Sequence, residues 1–163
     1  MQANKSKQKK FDSFAEYARH LEKLLLQFSI AEKVILETVG VEVEKNAKSK
    51  FGEYQEGIGR FEKWPELAES TKEDRVKKGF TENDPLLRDG TLRDSVSHSV
   101  DLARKRVEAG STSEVMVWQE LGTDRIPPRP VIGPAMYEKK ARIQALCGEV
   151  MFALLTNQVR SVK

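Results

Sequence analysis

The sequence predicts an α+β fold with N-terminal helices, a small antiparallel sheet of three to four strands, and a C-terminal helix. Three patterns predict it. Apolar residues recur every three or four positions before residue 52, alternate at every second position between residues 96 and 118, and return to the helical interval after residue 134. With 163 residues, the chain is long enough for one core. We expect a flexible basic tail over residues 1–12 and a single domain over residues 13–163.

Two helices are predicted before residue 52. The first begins with Ser13 and Glu16, which have the spacing of a capping box. The second restarts near Ser29 and is expected to bend at Gly40, because glycine weakens a helix by about 1 kcal/mol. One face of the second helix carries apolar residues four positions apart: Ala31, Ile35, Val39, Val43, Ala47 and Phe51. Such a row is typical of an amphipathic helix.

Residues 52–90 form a polar stretch interrupted by glycine and proline. It predicts one short helix, at about residues 66–78. The rest is typical of a disordered segment or an interaction loop. Because Phe61, Trp64 and Leu67 are large and apolar, we expect this segment to dock onto a surface.

Three short antiparallel strands are predicted between residues 96 and 118. Their faces are formed by Val96, His98 and Val100, then by Val107 and Ala109, and then by Val115 and Val117 opposite Met116 and Trp118. Their connections are short enough for a meander of hairpins. The last helix is predicted to begin after Pro134. Its apolar face is formed by Met136, Ile143, Cys147, Val150 and Leu154.

The sequence contains no pattern of catalytic, metal-binding or cofactor-binding residues. His20 and His98 have no partner at ligand spacing, and Cys147 is the single cysteine, for which we expect a buried, reduced thiol. The serines near His98 lie at odd offsets from it, so they would point to the opposite face of a strand and could not form a Ser-His-Asp relay with it. We expect His98 to lie on the sheet surface. No glycine-rich phosphate loop is present. We therefore expect a protein that is not an enzyme and has no cofactor.

Positive charge is concentrated at the N-terminus. The net charge is +3, and Lys5, Lys7, Lys9 and Lys10 contribute four positive charges with no acidic residue among the first ten, which leaves 3 − 4 = −1 for the remainder. The tail is either a solubilising terminus or an arm that contacts DNA or an acidic neighbour. The second basic cluster, residues 104–106, has acidic neighbours and no interleaved aromatic residues for base stacking.

Residues 121–134 contain four of the six prolines. Proline fixes φ, so this stretch should be extended and stiff and should lose little entropy on docking. Arg125 and Arg129 would supply forked donors to carboxylates or carbonyls of a partner. The alternative is a rigid connection between the sheet and the last helix. The candidate interface residues are Trp64, Trp118, Arg125, Pro128, Arg129 and Pro130.

Several motifs follow one another in order along the second half of the chain. They are Trp64-Pro65-Glu66-Leu67 with Thr71 and Arg75, Pro85-Leu86-Leu87-Arg88-Asp89-Gly90-Thr91-Leu92-Arg93-Asp94-Ser95-Val96, Glu120-Leu121-Gly122-Thr123, and Ile126-Pro127-Pro128-Arg129-Pro130-Val131-Ile132-Gly133. This order resembles the virion-morphogenesis family of tailed bacteriophages, the tail-completion or head-tail joining (neck) proteins. The resemblance runs from about Ile30 to the C-terminus and leaves residues 1–28 without an assigned role.

The resemblance implies a structural protein of the virion neck, made in the host cytoplasm, and no membrane. It implies a homo-oligomeric, hexameric ring between the head connector or portal-adaptor protein and the tail tube or tail terminator protein, with non-specific DNA contact in the lumen. Replacing Arg129 and Pro130 is then expected to impair assembly and leave helix content intact. The alternative is a phage or plasmid nucleic-acid-binding accessory protein, whose binding would fall steeply with salt and be lost on deleting residues 1–10.

Overall fold

The computed structural model describes residues 10–156 and confirms the α+β class. The elements in chain order are α1 (Phe14–Lys48), α2 (Glu69–Lys77), α3 (Thr91–Asp94), β1 (Val96–Asp101), β2 (Arg106–Ser111), α4 (Glu114–Leu121) and α5 (Ile132–Leu155). The long C-terminal helix α5 packs against the long N-terminal helix α1. Residues 1–9 of the predicted basic tail lie outside the described residues.

The helix α1 is single and continuous where two helices were predicted. It begins at the predicted capping box, since the Glu16 amide donates to Ser13 Oγ at 3.1 Å and the Asp12 amide donates to the Glu16 carboxylate at 2.9 Å. Ser29 and Glu32 repeat this spacing inside α1. Amides in the middle of a helix already donate to carbonyls four residues earlier, so the repeated spacing starts no new helix.

Two compact units make up the chain, and the boundary between them falls within α1 and α5. The described part of unit 1 consists of residues 10–35 and 142–156. Unit 2 consists of residues 36–141 and contains the sheet and the shorter helices. The predicted single domain over residues 13–163 stays a prediction.

The hydrophobic core lies in unit 2 and is assembled from segments far apart in sequence. It consists of Ala47, Phe51, Trp64, Val96, Met116, Val131 and Ala135. The predicted apolar row is confirmed at its C-terminal end, because Val39, Val43 and Ala47 of α1 are buried, as is Phe51, three residues beyond α1. The predicted short helix after residue 66 is also confirmed, as α2.

Within residues 10–156 the sheet has two strands, so the predicted three to four strands are wrong. β1 and β2 are antiparallel and pair in register from Val96 with Ser111 to Asp101 with Arg106. His98 of β1 is also not on an open sheet surface, because it packs against Gly40 of α1. A Cβ added at Gly40 would lie 2.2 Å from His98 Cδ2, so only glycine permits this approach.

The predicted third strand, residues 115–118, is part of α4. Met116 enters the core, and Glu120 reaches the start of α5. These two residues are one helical turn apart, about 6 Å, whereas a strand would separate them by about 13 Å. Tertiary contacts therefore override the strand preference of Val115 and Val117, and an alternation of four residues is too short to exclude a helix.

Candidate interaction surface

Two of the predicted interface residues, Trp64 and Arg129, lie inside unit 2. Trp64 is 2% exposed, and its indole Nε1 donates to the Pro130 carbonyl at 3.1 Å. Arg129 is 6% exposed, and its Nε and Nη2 donate to the Pro65 carbonyl at 3.1 and 2.9 Å. Nη2 also donates to the Glu66 carbonyl at 2.9 Å. We call this set of hydrogen bonds the Trp64-Arg129 clamp; whether either side chain also contacts a partner stays a prediction.

A second buried guanidinium, that of Arg75, holds the loop after α2. Its Nε donates to the Thr81 carbonyl at 2.6 Å, and its Nη2 donates to the Leu87 carbonyl at 2.5 Å. Burial lowers the pKa of both Arg75 and Arg129. An arginine stays protonated in a protein, so both side chains bring a positive charge into this region, and they donate hydrogen bonds to carbonyl groups.

Glu120 fixes the start of α5. Its carboxylate accepts a hydrogen bond from the Val131 amide at 2.7 Å and a second one from the Ile132 amide. These amides stand at the N-terminus of α5, where helical partners are missing and a negative charge is favoured. The helix therefore begins at Ile132, two residues before Pro134. The sequence had predicted that it begins after Pro134.

The turn after α4 depends on Gly122 and Thr123. Gly122 has a φ of +73°, and a Cβ added there would lie 3.0 Å from the Ile126 carbonyl oxygen. Thr123 Oγ1 accepts hydrogen bonds from the amides of Arg125 and Ile126 at 3.2 and 3.1 Å. The turn leaves the Arg125 side chain exposed, and Pro128, further along the chain, is also exposed. Both predicted interface residues are therefore accessible to a partner.

An exposed apolar surface lies on α4. Val117, Trp118 and Leu121 are 53%, 45% and 77% exposed and lie on one side of the helix, and we call them the α4 surface. Trp118 was predicted as an interface residue. Val117 and Leu121 were not predicted, because the segment was interpreted as a strand. Their spacing of four residues was the signal that would have found them.

A groove of about 960 Å³ borders α4 through Val115 and Gln119. The charged residues that line it are Arg75, Arg88, Arg125, Arg129, Glu66 and Asp89. The balance of the lining residues is 4 − 2 = +2, and Arg88 also pairs with Asp74 at 3.2 Å, so the groove has a small excess of positive charge that favours negatively charged groups. The side-chain oxygen of Gln119 is buried and has no hydrogen-bond partner in the part of the chain that the structure covers.

Other residues singled out in the sequence lie elsewhere. Cys147 is a free, half-buried thiol. Between residues 10 and 156, no three His, Cys, Asp or Glu side chains are close enough to hold a metal ion, and no helix is long and apolar enough to cross a membrane. Lys10 is exposed, whereas Lys5, Lys7 and Lys9 lie outside the described residues.

Comparisons with known proteins found no match: no family model, no curated protein and no solved structure matches this chain. The resemblance to phage tail-completion proteins therefore stays a prediction. So does the expectation that the chain is not an enzyme.

Proposed function

We propose that this chain is a structural ring subunit in the neck of a tailed phage, where it joins the head connector to the tail. The exposed α4 surface carries this proposal. It is the kind of surface that acts by contact with another protein, because it offers large apolar side chains on a fixed helix. The motifs that resemble tail-completion proteins surround it on both sides in the sequence.

The α4 surface has the composition of a binding hot spot. Burial of a large apolar side chain contributes roughly 1.5–3 kcal/mol, and tryptophan is enriched among the residues that dominate protein interfaces. Trp118 and Leu121 are therefore the residues expected to contribute most. Because Met116 and Glu120 hold the opposite side of α4 in unit 2, little conformational entropy is lost when a partner binds.

The groove beside α4 defines what a partner would present to it. Its walls combine apolar residues such as Leu67 and Ile126 with a net charge of 4 − 2 = +2 from the residues that line it. A partner segment with apolar and acidic side chains would match both properties. The α4 surface and the groove differ in character, which suits contacts with unlike surfaces of neighbouring particle proteins.

Nucleic-acid binding stays the alternative because of Lys5, Lys7, Lys9 and Lys10. The basic cluster on the β1-β2 turn adds little to it. Arg104 pairs with Asp101 at 3.2 Å and Arg106 with Glu108 at 3.0 Å, so both guanidinium groups already have carboxylate partners. DNA affinity that falls steeply with salt and requires residues 1–10 would favour this alternative.

Imaging of purified virions or necks tests the proposal. Particles from a phage that encodes the chain should show its density at the head-tail junction with rotational symmetry. Particles made without the chain should contain filled heads that lack attached tails. Infectious particles from which the chain is absent, or density confined to another part of the virion, would contradict the proposed function.

A further inference from the structure

Unit 1 exposes more apolar side chains than it buries. Within residues 10–35 and 142–156, Leu154 is the one buried hydrophobic side chain, at 6% exposure. Eight large apolar residues of α1 in this unit are exposed. A pair of helices of this size buries too little apolar surface to be stable without further packing. We therefore expect another surface to cover unit 1.

The exposed residues form two stripes on opposite sides of α1. Stripe A consists of Phe14, Tyr17, Leu21, Leu25 and Phe28, and stripe B consists of Leu26, Ile30 and Val34. At about 100° per residue, the mean directions of the two stripes differ by about 180°. The half-buried residues Leu24 and Ala31 point between them. The contacts made within unit 1 therefore leave two separate apolar surfaces uncovered.

We propose that a second copy of this chain covers unit 1, with stripe A of one copy packed against stripe B of the next. Two opposed stripes require two covering surfaces. A chain that carries both can cover both with one repeated contact. Such a contact joins unlike surfaces, so it does not stop at a dimer and continues until rotation closes a ring.

Charge is compatible with self-association. Between residues 14 and 34, Glu16, Glu22 and Glu32 balance Arg19, Lys23 and Lys33, which gives 3 − 3 = 0. Two neutral helix segments do not repel each other, whereas a strongly charged partner would gain nothing from this surface. Apolar packing would therefore supply the binding energy.

The chain segments outside the described residues do not fit these stripes. Residues 1–9 and 157–163 contain only Met1, Val159 and Val162 as large apolar residues. Three such residues are too few to cover eight exposed apolar side chains on two opposite sides of a helix. The composition of these segments thus favours a second copy over this chain's own ends.

The inference deepens the proposed function and rests on it for the closure of the ring. It also gives a role to residues 14–28, a segment to which the resemblance to tail-completion proteins assigned none. The α4 surface lies in unit 2 and is available for a different contact.

The test uses the full chain and its mass in solution, measured by light scattering and sedimentation. The stripe A variant is Leu21→Glu/Leu25→Glu, and the stripe B variant is Ile30→Glu/Val34→Glu. We expect the wild type to form species larger than a dimer and each variant to associate at least tenfold more weakly. Mixing the two variants should form a dimer and nothing larger, because one intact stripe remains on each.

The matched control is Ala15→Glu/Ser29→Glu, which adds the same charge to exposed positions on the side of α1 opposite Leu24 and Ala31. It should associate like the wild type. A monomeric wild type, variants that associate like the wild type, or a mixture that forms no dimer would each overturn the proposal. Circular dichroism shows whether each variant keeps its helix content.

Cross-linking covers the case in which the glutamate variants fail to fold. In a Cys147→Ala background, a chain with Leu25→Cys and a differently sized chain with Ile30→Cys should form a disulfide with each other. A disulfide formed only between two Leu25→Cys chains would overturn the proposed contact. If the stripes associate as expected but the chain is absent from the neck, only the proposed function is wrong. If the chain is found in the neck but the stripe variants associate like the wild type, only this inference is wrong.

Discussion

The buried side chains of Trp64 and Arg129 explain why distant motifs occur together in this chain. Trp64 donates to the Pro130 carbonyl, and Arg129 donates to the carbonyls of Pro65 and Glu66. Each motif therefore supplies the acceptor for the other. The residues that carry the resemblance to phage tail-completion proteins hold unit 2 together, and their co-occurrence reflects internal hydrogen bonds as much as any contact with a partner.

Replacement of Arg129 by methionine should destabilise the protein by about 2–3 kcal/mol, because the carbonyl groups of Pro65 and Glu66 lose a charged, buried donor. Arg129→Lys should recover only part of this loss, since an ammonium group lacks the planar fork. Urea unfolding measures both. The control is Arg125→Met in the same segment, which should change stability by less than about 0.5 kcal/mol because Arg125 is exposed. Equal stability of all three variants would show that the clamp contributes nothing.

Because Arg129 also holds unit 2 together, impaired assembly after replacing Arg129 and Pro130 would not by itself identify a partner contact.

Lys50 and Glu138 form an ion pair between the residues after α1 and the first turns of α5. Lys50 is buried, and its Nζ lies 2.8 Å from Glu138 Oε1. Asn46 Nδ2 donates to the other carboxylate oxygen at 2.7 Å. Burial raises the pKa of Glu138, but the hydrogen bonds from Lys50 and Asn46 together with the positive charges of Lys50 and Lys139 outweigh it, so the pKa is lowered from its usual value of 4.5.

The lowered pKa predicts a pH dependence of stability. A carboxyl group whose pKa is lower in the folded state stabilises the protein above its unfolded pKa, and this contribution is lost as pH falls through the folded value. Glu138→Gln should therefore reduce stability by about 1 kcal/mol at pH 7. The difference from the wild type should shrink below pH 4.5. Urea unfolding at pH 7 and below pH 4.5 measures this difference in stability.

The control for this pH dependence is Glu56→Gln, which removes an exposed pair with Lys63 and should have little effect at either pH. If the wild type and Glu138→Gln differ in stability by the same amount at pH 7 and below pH 4.5, the proposed role of the Lys50-Glu138 pair is contradicted.

At the scale of elements, α4 has two sides with different tasks. One side inserts Met116 into the core and places Glu120 at the start of α5; the other exposes Val117, Trp118 and Leu121. The same short helix therefore orders the core and displays an apolar surface. Its rigidity comes from the buried side, which is the physical reason that the exposed side suits a specific contact.

The double variant Trp118→Ser/Leu121→Ser should keep the fold and lose binding to neighbouring particle proteins. Removal of one hot-spot side chain costs about 2 kcal/mol of binding energy or more, so the loss of both should reduce incorporation into particles by at least tenfold. Quantitative immunoblotting of purified particles measures incorporation, and thermal unfolding checks the fold. Met116→Ser is the contrast, because it should lower stability by roughly 3 kcal/mol. Normal incorporation of the double variant would rule out the α4 surface as a contact.

At the scale of the whole molecule, units 1 and 2 are built differently. Unit 2 has a core of seven buried side chains that come from helices, a strand and loops. Unit 1 is two helical segments with Leu154 as the buried hydrophobic residue of its described part. A unit that depends on other copies for its packing couples folding of that unit to assembly. This coupling suits a protein whose proposed role is to form a ring.

The sequence by itself determined what local interactions control. The capping box of Ser13 and Glu16, the apolar row ending at Phe51, the helix α2 and the strand pair β1-β2 all follow from spacing and composition within a few residues. Helical and strand periods are local properties, and caps satisfy amides nearby in the chain. These signals were sufficient for the α+β class.

Only the tertiary structure decided the rest. It turned residues 115–118 into a helix, because Met116 and Glu120 must reach the core and α5 together. It placed Trp64 and Arg129 inside unit 2, although a tryptophan and an arginine in a proline-rich context predict surface contacts equally well. Burial depends on which distant segments of the chain are in contact, and the periodicity within a short segment carries no information about those contacts.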